Sequence, residues 1–255
     1  MFFPISDDDR RLVRPAYVTW ALVALNIAAF VYQMSHEEFT YGYAAVPREI
    51  TTGEDIQQST PLQIGPGKPV MIPQAPGPVP IQLTLLTSLF LHGGFMHLAG
   101  NMLFLWIFGD NVEHRFGSLR FLGFYLASGV AASLAQIALD PGSYIPTLGA
   151  SGAISGVLGA YLVLYPHNRV HAILFVFVVS LPAYAVIGMW AVTQVINGYG
   201  AMFVSQQMGG VAYAAHIGGF AAGLMAGWFV RRRLPEEPQS PFLALMQNDP
   251  RLRPR

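Results

Sequence analysis

Of the 255 residues, 53% are hydrophobic and only 11% charged, against about a quarter charged in an average soluble protein; this is a membrane composition. The 14 basic and 14 acidic side chains cancel, so no basic excess points to nucleic acid. Cysteine is absent, which excludes disulfides, thiol nucleophiles and Cys-ligated metals and leaves the redox compartment open.

Six runs come near the roughly 20 apolar residues that a membrane-spanning helix requires: 16 to 34, 95 to 112, 119 to 138, 151 to 165, 170 to 195 and 211 to 230. Ahead of the first, MFFPISDDDRRLVRP is acidic and then basic, with no signal-peptide cleavage pattern. Residues 1–15 are therefore expected as a cytoplasmic segment, and the run after them as a retained span. Arg10, Arg11 and Arg14 precede the first run, Arg115 and Arg120 follow the second, Arg169 the fourth, and Arg231, Arg232 and Arg233 the sixth, while the alternate loops hold only Arg48 and Lys68. This asymmetry predicts an all-α polytopic membrane protein, six helices within residues 16–230, with both termini in the cytoplasm. The tail 231–255, with its prolines and Arg251, Arg253 and Arg255, is expected to be disordered. No internal repeat stands out, which weakens a transporter built from paired halves.

The external loop from about 35 to 94 joins a Pro/Gly stretch, PLQIGPGKPVMIPQAPGPVP, to a short apolar piece, IQLTLLTSLFL. That piece is too short to cross by itself, so it is expected at the interface or re-entering the protein.

The fourth run is the informative one. Ser151 to Tyr165 is 15 residues, about 22 Å of helix against a hydrocarbon core of about 30 Å. With Pro166 and Arg169 fixing its inner end, Ser151 should lie roughly 8 Å beneath the outer surface. The preceding DPGSYIPTLGA must then dip into the membrane, which irregular backbone tolerates only when buried in protein or lining a wet cavity. Counted the same way, His216 lies about 8 Å down the sixth run, and His97 and Asn101 about 3 and 9 Å down the second. Three helices thus carry polar groups to one level, and polar groups at lipid depth default to a functional reading.

Small residues indicate which helices touch. Gly219, Gly223 and Gly227 recur every four residues on the sixth run, as do Gly152, Gly156 and Ala160 on the fourth. Such stripes allow close contact and are usually scaffolding; facing each other, they would bring Ser151 beside His216. His97 and Asn101, four apart, share a face. Ser155 fits a serine bonded back to a carbonyl one turn earlier, whereas Ser151 has no full turn before it. A zinc site from His92, His97 and His216 lacks both ligand spacing and outer-half carboxylates. A nucleophile elbow GxSxG fails because Ala153 stands where glycine is needed. His114, His167 and His171 fall at inner loops and are expected to be solvated.

Four motifs in one order, HGGFMHLAGN (His92, His97, Asn101), EHRFG (Glu113, Arg115, Gly117), GASGAISG (Gly149, Ser151, Gly152) and AHIGGFAAG (Ala215, His216, Gly219, Gly223), resemble those of the rhomboid intramembrane serine proteases. The resemblance covers residues 92 to 223. It implies a catalytic dyad with Ser151 as nucleophile and His216 as general base. It also implies oxyanion stabilisation by His97, Asn101 and the Ser151 backbone N–H, and structural roles for His92, Gly149, Gly152, Gly219 and Gly223, with Glu113 and Arg115 a structural pair at the cytoplasmic end.

Two departures stand out. Rhomboids often carry an aromatic residue one turn after the nucleophile, packed on the catalytic His; here that position is Ser155, so another group must orient His216. The proline-rich loop also looks longer than in simple bacterial members.

From these residues the expected activity is endoproteolysis of transmembrane segments of membrane proteins near the outer face, in a cell inner membrane. The pocket is expected to open to the external side, with the bilayer as surroundings and no metal, cofactor or nucleic acid required.

Overall fold

A computed structural model describes residues 2–8, 15–63, 67, 69–174, 176–203 and 212–234. Arg10, Arg11, Arg14, Lys68 and the tail from 235 lie outside the described residues. In chain order the elements are β1 (Phe2–Ser6), α1 (Tyr17–Gln33), α2 (Glu37–Tyr43), α3 (Pro47–Thr52), β2 (Thr60–Leu62) and β3 (Val70–Ile72). A 3-10 turn at Ile81–Leu83, α4 (Thr84–Thr87) and a second 3-10 turn at Ser88–Phe90 lead into α5 (Phe95–Phe116) and α6 (Ser118–Leu139). Then come α7 (Ser151–Leu164), β4 (Arg169–Leu174), β5 (Phe177–Pro182), α8 (Ala183–Phe203) and α9 (Tyr213–Arg233).

By length and apolarity α6 and α9 can each cross a membrane, and Ile81–Phe90 with α5 passes as one pair bent by 79°. α1 and α7 are shorter apolar helices. Gly117, at φ +79°, lets the chain reverse between α5 and α6, a conformation open chiefly to glycine.

The fold is mostly rather than wholly helical. The expected fifth span, 170 to 195, begins as the antiparallel hairpin β4–β5, and its helix runs instead from Ala183 to Phe203. Val170, Ile173, Val176, Phe177, Val178 and Val179 make this piece rich in β-branched and aromatic residues, which favour strands, and a short apolar run carries no periodicity to distinguish strand from helix. β1 adds to the same sheet, pairing antiparallel with β4 in the order β1-β4-β5. The N-terminal segment is thus partly folded, and just beyond β1 the buried Asp7 accepts hydrogen bonds from Tyr161 and Asn111.

α7 is the central helix: every residue from Gly152 to Tyr161 is buried. Its partner α9 approaches so closely that a Cβ on Gly219 would overlap the Gly152 carbonyl oxygen, and one on Gly223 the Gly156 carbonyl. Gly227 meets Ala160 in the same way, with a Cβ there only 2.9 Å from the Ala160 Cα. On its other flank, Gly152 and Gly156 fit against Ala132 and Ser128 of α6. Backbone-to-backbone packing of this kind gathers the van der Waals contacts that hold helices together where lipid offers no hydrophobic drive.

Candidate active site

The glycine-lined joint sets the position of two side chains. Ser151 is the first residue of α7 and His216 the fourth of α9; Ser151 Oγ and His216 Nε2 stand 2.8 Å apart. The other ring nitrogen, Nδ1, is 2.8 Å from the Gln194 side-chain oxygen on α8. Trp190, one turn earlier on α8, lies 6.1 Å ring-to-ring from His216, and Tyr213 of α9 lies edge-on at 6.5 Å. Gln194 is a neighbour of His216 that sequence reasoning did not name; its signal there is an amide inside an apolar run, four residues after a tryptophan. Ser155 is fully engaged elsewhere, donating to the Ser151 carbonyl at 2.6 Å.

α5 brings two more polar groups to the same hollow. His97 Nδ1 accepts from the Gly93 N–H at 3.3 Å, so in a neutral ring the proton sits on Nε2, which is left as a donor. Asn101 is buried and its Nδ2 has no hydrogen-bond partner. Gly149, at φ +125°, runs directly over His97: a Cβ there would come within 2.8 Å of the ring. Only glycine combines that backbone with that approach. His92 does not reach the hollow in the same way. It is buried edge-on to His97 with ring centres 5.1 Å apart, and Gln33 of α1 clamps its backbone, accepting from the His92 N–H at 3.0 Å and donating to its carbonyl at 3.2 Å.

The irregular connection 140–150 roofs this hollow, and several of its backbone groups are paired with the long preceding loop. Ala45 and Thr147 exchange two hydrogen bonds, the Arg48 N–H donates to Ser143, and the Gly149 N–H donates to Ser88 on the bent helix ahead of α5. Thr51 and Gln74 donate to the Pro141 and Tyr144 carbonyls. This is how non-helical backbone can be held beside an apolar helix. Below it lies a cavity of about 1350 Å³ lined by His97, Asn101, Ser151 and His216.

A family model described as "Rhomboid domain" matches residues 82–233, which takes in all these elements from the bent helix to α9. The chain belongs to the rhomboid family. It is 33% identical over 162 residues to Rhomboid protein 1, mitochondrial, of Saccharomyces cerevisiae, covering 62% of this chain and 44% of that protein. To Rhomboid protease GluP of Bacillus subtilis it is 49% identical over 85 residues, 33% of this chain and 16% of that one. To human Presenilin-associated rhomboid-like protein, mitochondrial, it is 32% identical over 151 residues, 57% of this chain and 36% of that one. The matches thus span less than half the length of these relatives. As a rhomboid with apolar helices, the chain is a membrane protein.

At the opposite end of this rhomboid bundle, EHRFG splits into separate joints. Glu113 fills its acceptor sites with the Val18 and Thr19 N–H groups, the Thr19 hydroxyl and the Ser118 hydroxyl, at 2.7 to 3.0 Å. It therefore satisfies donors at the start of α1 that the helix itself cannot, with charge complementing the helix dipole. Arg115 reaches the Leu234 carbonyl after α9 at 2.9 Å. His114, expected to be solvated, is instead buried, with Nδ1 2.8 Å from the Asp110 carbonyl: the last turn of α5 packs inward where loop-adjacent sequence suggested water.

Proposed function

We propose that this rhomboid is an intramembrane serine endopeptidase that cuts transmembrane segments of membrane proteins near the outer face, using Ser151 as nucleophile and His216 as general base. The observation that carries the reading is the 2.8 Å approach of Ser151 Oγ to His216 Nε2 in a cavity that also holds His97 and Asn101.

The chemistry follows from those atoms. His216 Nε2 takes the hydroxyl proton as Ser151 Oγ bonds to the scissile carbonyl carbon. The resulting oxyanion meets the Asn101 amide, the His97 Nε2–H and the Ser151 backbone N–H, which as the first of a helix has no partner within it. Collapse breaks the C–N bond, and the leaving amine takes its proton from His216. A water then repeats the sequence in reverse on the acyl-enzyme, His216 accepting its proton and returning it to Ser151. No carboxylate completes a triad in this mechanism. Each oxyanion donor is worth about 10² to 10³ in rate, so Asn101→Ala should lower kcat by about that factor with the protein still folded.

The substrate has to expose a peptide bond, because a bond inside a helix is hydrogen-bonded and shielded; small or helix-breaking residues near the cut favour this. The orientation we propose, six spans with both termini cytoplasmic, is supported by how the ends sort. The start of α1 and the ends of α5, α7 and α9 meet through Glu113, Arg115, Tyr165 and Arg231, and the basic residues Arg231, Arg232 and Arg233 lie there. Ser151, His216, His97 and Asn101 all lie at the other end of their helices. We place the protein in a cell inner membrane with the cavity open to the external side. Fractionation tests that placement against an organellar membrane, the compartment printed in the names of two relatives.

Purified Ser151→Ala should leave a reporter transmembrane segment uncut while expressing and folding normally. A fluorophosphonate should label Ser151 and spare Ser155. Continued cleavage by the variant ends the proposal, and unlabelled wild-type protein would favour an escort or channel that binds spans without cutting them.

A further inference from the structure

We propose that Gln194 is a positioning residue for His216: its side-chain carbonyl fixes which imidazole nitrogen carries the proton. The inference rests on the Ser151–His216 dyad proposed above and assigns what sets its protonation geometry.

The Gln194 oxygen lies 2.8 Å from His216 Nδ1. A carbonyl oxygen can only accept, so Nδ1 must donate, and a neutral imidazole has one proton to give. Nε2 is therefore left with its lone pair, aimed at the Ser151 hydroxyl 2.8 Å away. The other tautomer would point an N–H at the nucleophile and would require the Gln194 amide to turn over so that its NH2 met the Nδ1 lone pair. The second-site hydrogen bond thus chooses the form of the ring that can act as a base.

The position one turn after Ser151 does not take this duty: Ser155 turns its hydroxyl to the Ser151 carbonyl, and among the described residues the groups at hydrogen-bond distance from the His216 ring are Gln194 and Ser151. The duty passes to another helix. Trp190, four residues before Gln194 and so on the same face of α8, packs near the same imidazole and also against Phe220 of α9, at 5.7 Å between rings. Ring position and ring tautomer are thereby both set from α8, and His216 is competent only while α8 stays against α9. Gln194 is neutral, so it holds the imidazolium through a dipole and not a charge. The other titratable groups lining the cavity are His97, Asp140, Tyr144, Tyr199 and Tyr213.

The test is steady-state cleavage of a fluorogenic transmembrane peptide by full-length protein in bilayers from pH 5 to 9, comparing wild type, Gln194→Leu, Gln194→Glu and Ser151→Ala. Gln194→Leu should lose about 10- to 100-fold in kcat, within the range of general-base contributions, with KM changed by less than about twofold, and should react with fluorophosphonate more slowly by the same factor as kcat. Gln194→Glu keeps an acceptor at Nδ1, so it should retain more activity than Gln194→Leu. Its charge stabilises the imidazolium, so the acidic limb of its profile should move to higher pH. A merely structural contact would lower thermal stability without moving that limb. Wild-type kcat and labelling in Gln194→Leu, or an unmoved acidic limb in Gln194→Glu, overturns the assignment. Cleavage surviving in Ser151→Ala instead brings down the dyad, a result that the Gln194 variants cannot mimic. Should Gln194→Leu fail to fold, the Gln194→Glu profile decides alone.

Discussion

α9 and α8 both touch the imidazole, but they are held in different ways. α9 lies on α7 with glycine against backbone carbonyl along two turns, at Gly219 and Gly223, and this contact has no side chain that could change rotamer. α8 presents Val192 and Ile196 outward and reaches the site through Trp190 and Gln194. The difference separates two tasks. Backbone packing fixes where Ser151 and His216 stand; side chains from a more loosely engaged helix fix how the ring is turned. Damage to the first should abolish the fold together with the activity, and damage to the second should spare the fold.

The largest effect tests the rigid joint. Gly223→Leu forces a side chain into the Gly156 carbonyl, and since neither backbone can withdraw without separating the helices, the loss should exceed about 4 kcal/mol. Folded protein should be absent by circular dichroism in detergent, with no cleavage. A folded, active Gly223→Leu would show that the joint yields, and the contrast with α8 would collapse.

Next comes the long loop ahead of α5, which supports the roof of the site and lies between the two extremes. Glu49 of α3 is buried at 2% exposure and accepts from the Ile56 N–H at 2.8 Å. Burial, reinforced by Asp55 and partly offset by the Ile56 hydrogen bond, pushes its carboxyl up from 4.5 to about 7. Below pH 4.5 the group is protonated in folded and unfolded chains alike and costs nothing. As the pH rises from there to about 7 the unfolded chain loses its proton first, so stability falls across that interval. Gln at this position can still accept from Ile56 without carrying charge. Thermal unfolding of Glu49→Gln should therefore match wild type near pH 4.5 and exceed it at pH 8; parallel curves across that interval refute the assignment.

Trp190→Ala probes the looser side. Loss of the ring beside His216 and Phe220 should lower kcat by about tenfold, about 1.4 kcal/mol in the transition state, while unfolding shifts far less than in Gly223→Leu. If Trp190→Ala unfolds the protein as thoroughly as the glycine variant does, α8 belongs to the rigid joint after all.

The same division governs what could be read from the sequence. Runs 16–34, 119–138 and 151–165 end within one residue of α1, α6 and α7, because their apolar lengths are punctuated by glycine, proline and charge. The glycine stripes were legible because a four-residue period is local, and so was the gathering of Ser151, His216, His97 and Asn101 around one cavity. α8 was not. Its N-terminal approach is a β-branched run equally compatible with strand, and β4 is paired on one side by β1 from residues 2–6, a contact between chain segments some 170 residues apart that no local pattern encodes. Gln194 was invisible for a related reason: an amide in an apolar helix acquires meaning only from the ring it faces, 22 residues onward. Glu113 was singled out beside Arg115, yet three of its four hydrogen bonds come from Val18 and Thr19 of the first helix and the fourth from Ser118.

The smallest effect concerns Ser155, the position where an aromatic would be expected to steady the histidine. Its hydroxyl donates to the Ser151 carbonyl one turn back, within its own helix, and the residue is buried at 1% exposure. That carbonyl belongs to the first turn of α7, one place after the Ala150 carbonyl that accepts from the Ile154 N–H, and keeps its acceptor role in the i to i−4 ladder without the hydroxyl. Removing the hydroxyl also removes the group that would need a partner, so nothing buried is left unsatisfied. Ser155→Ala should therefore change stability by less than about 1 kcal/mol and kcat by less than about twofold. A fall in kcat comparable with that of Trp190→Ala would mean that orientation of His216 is shared between α7 and α8, and the separation of the two tasks would have to be redrawn along that helix.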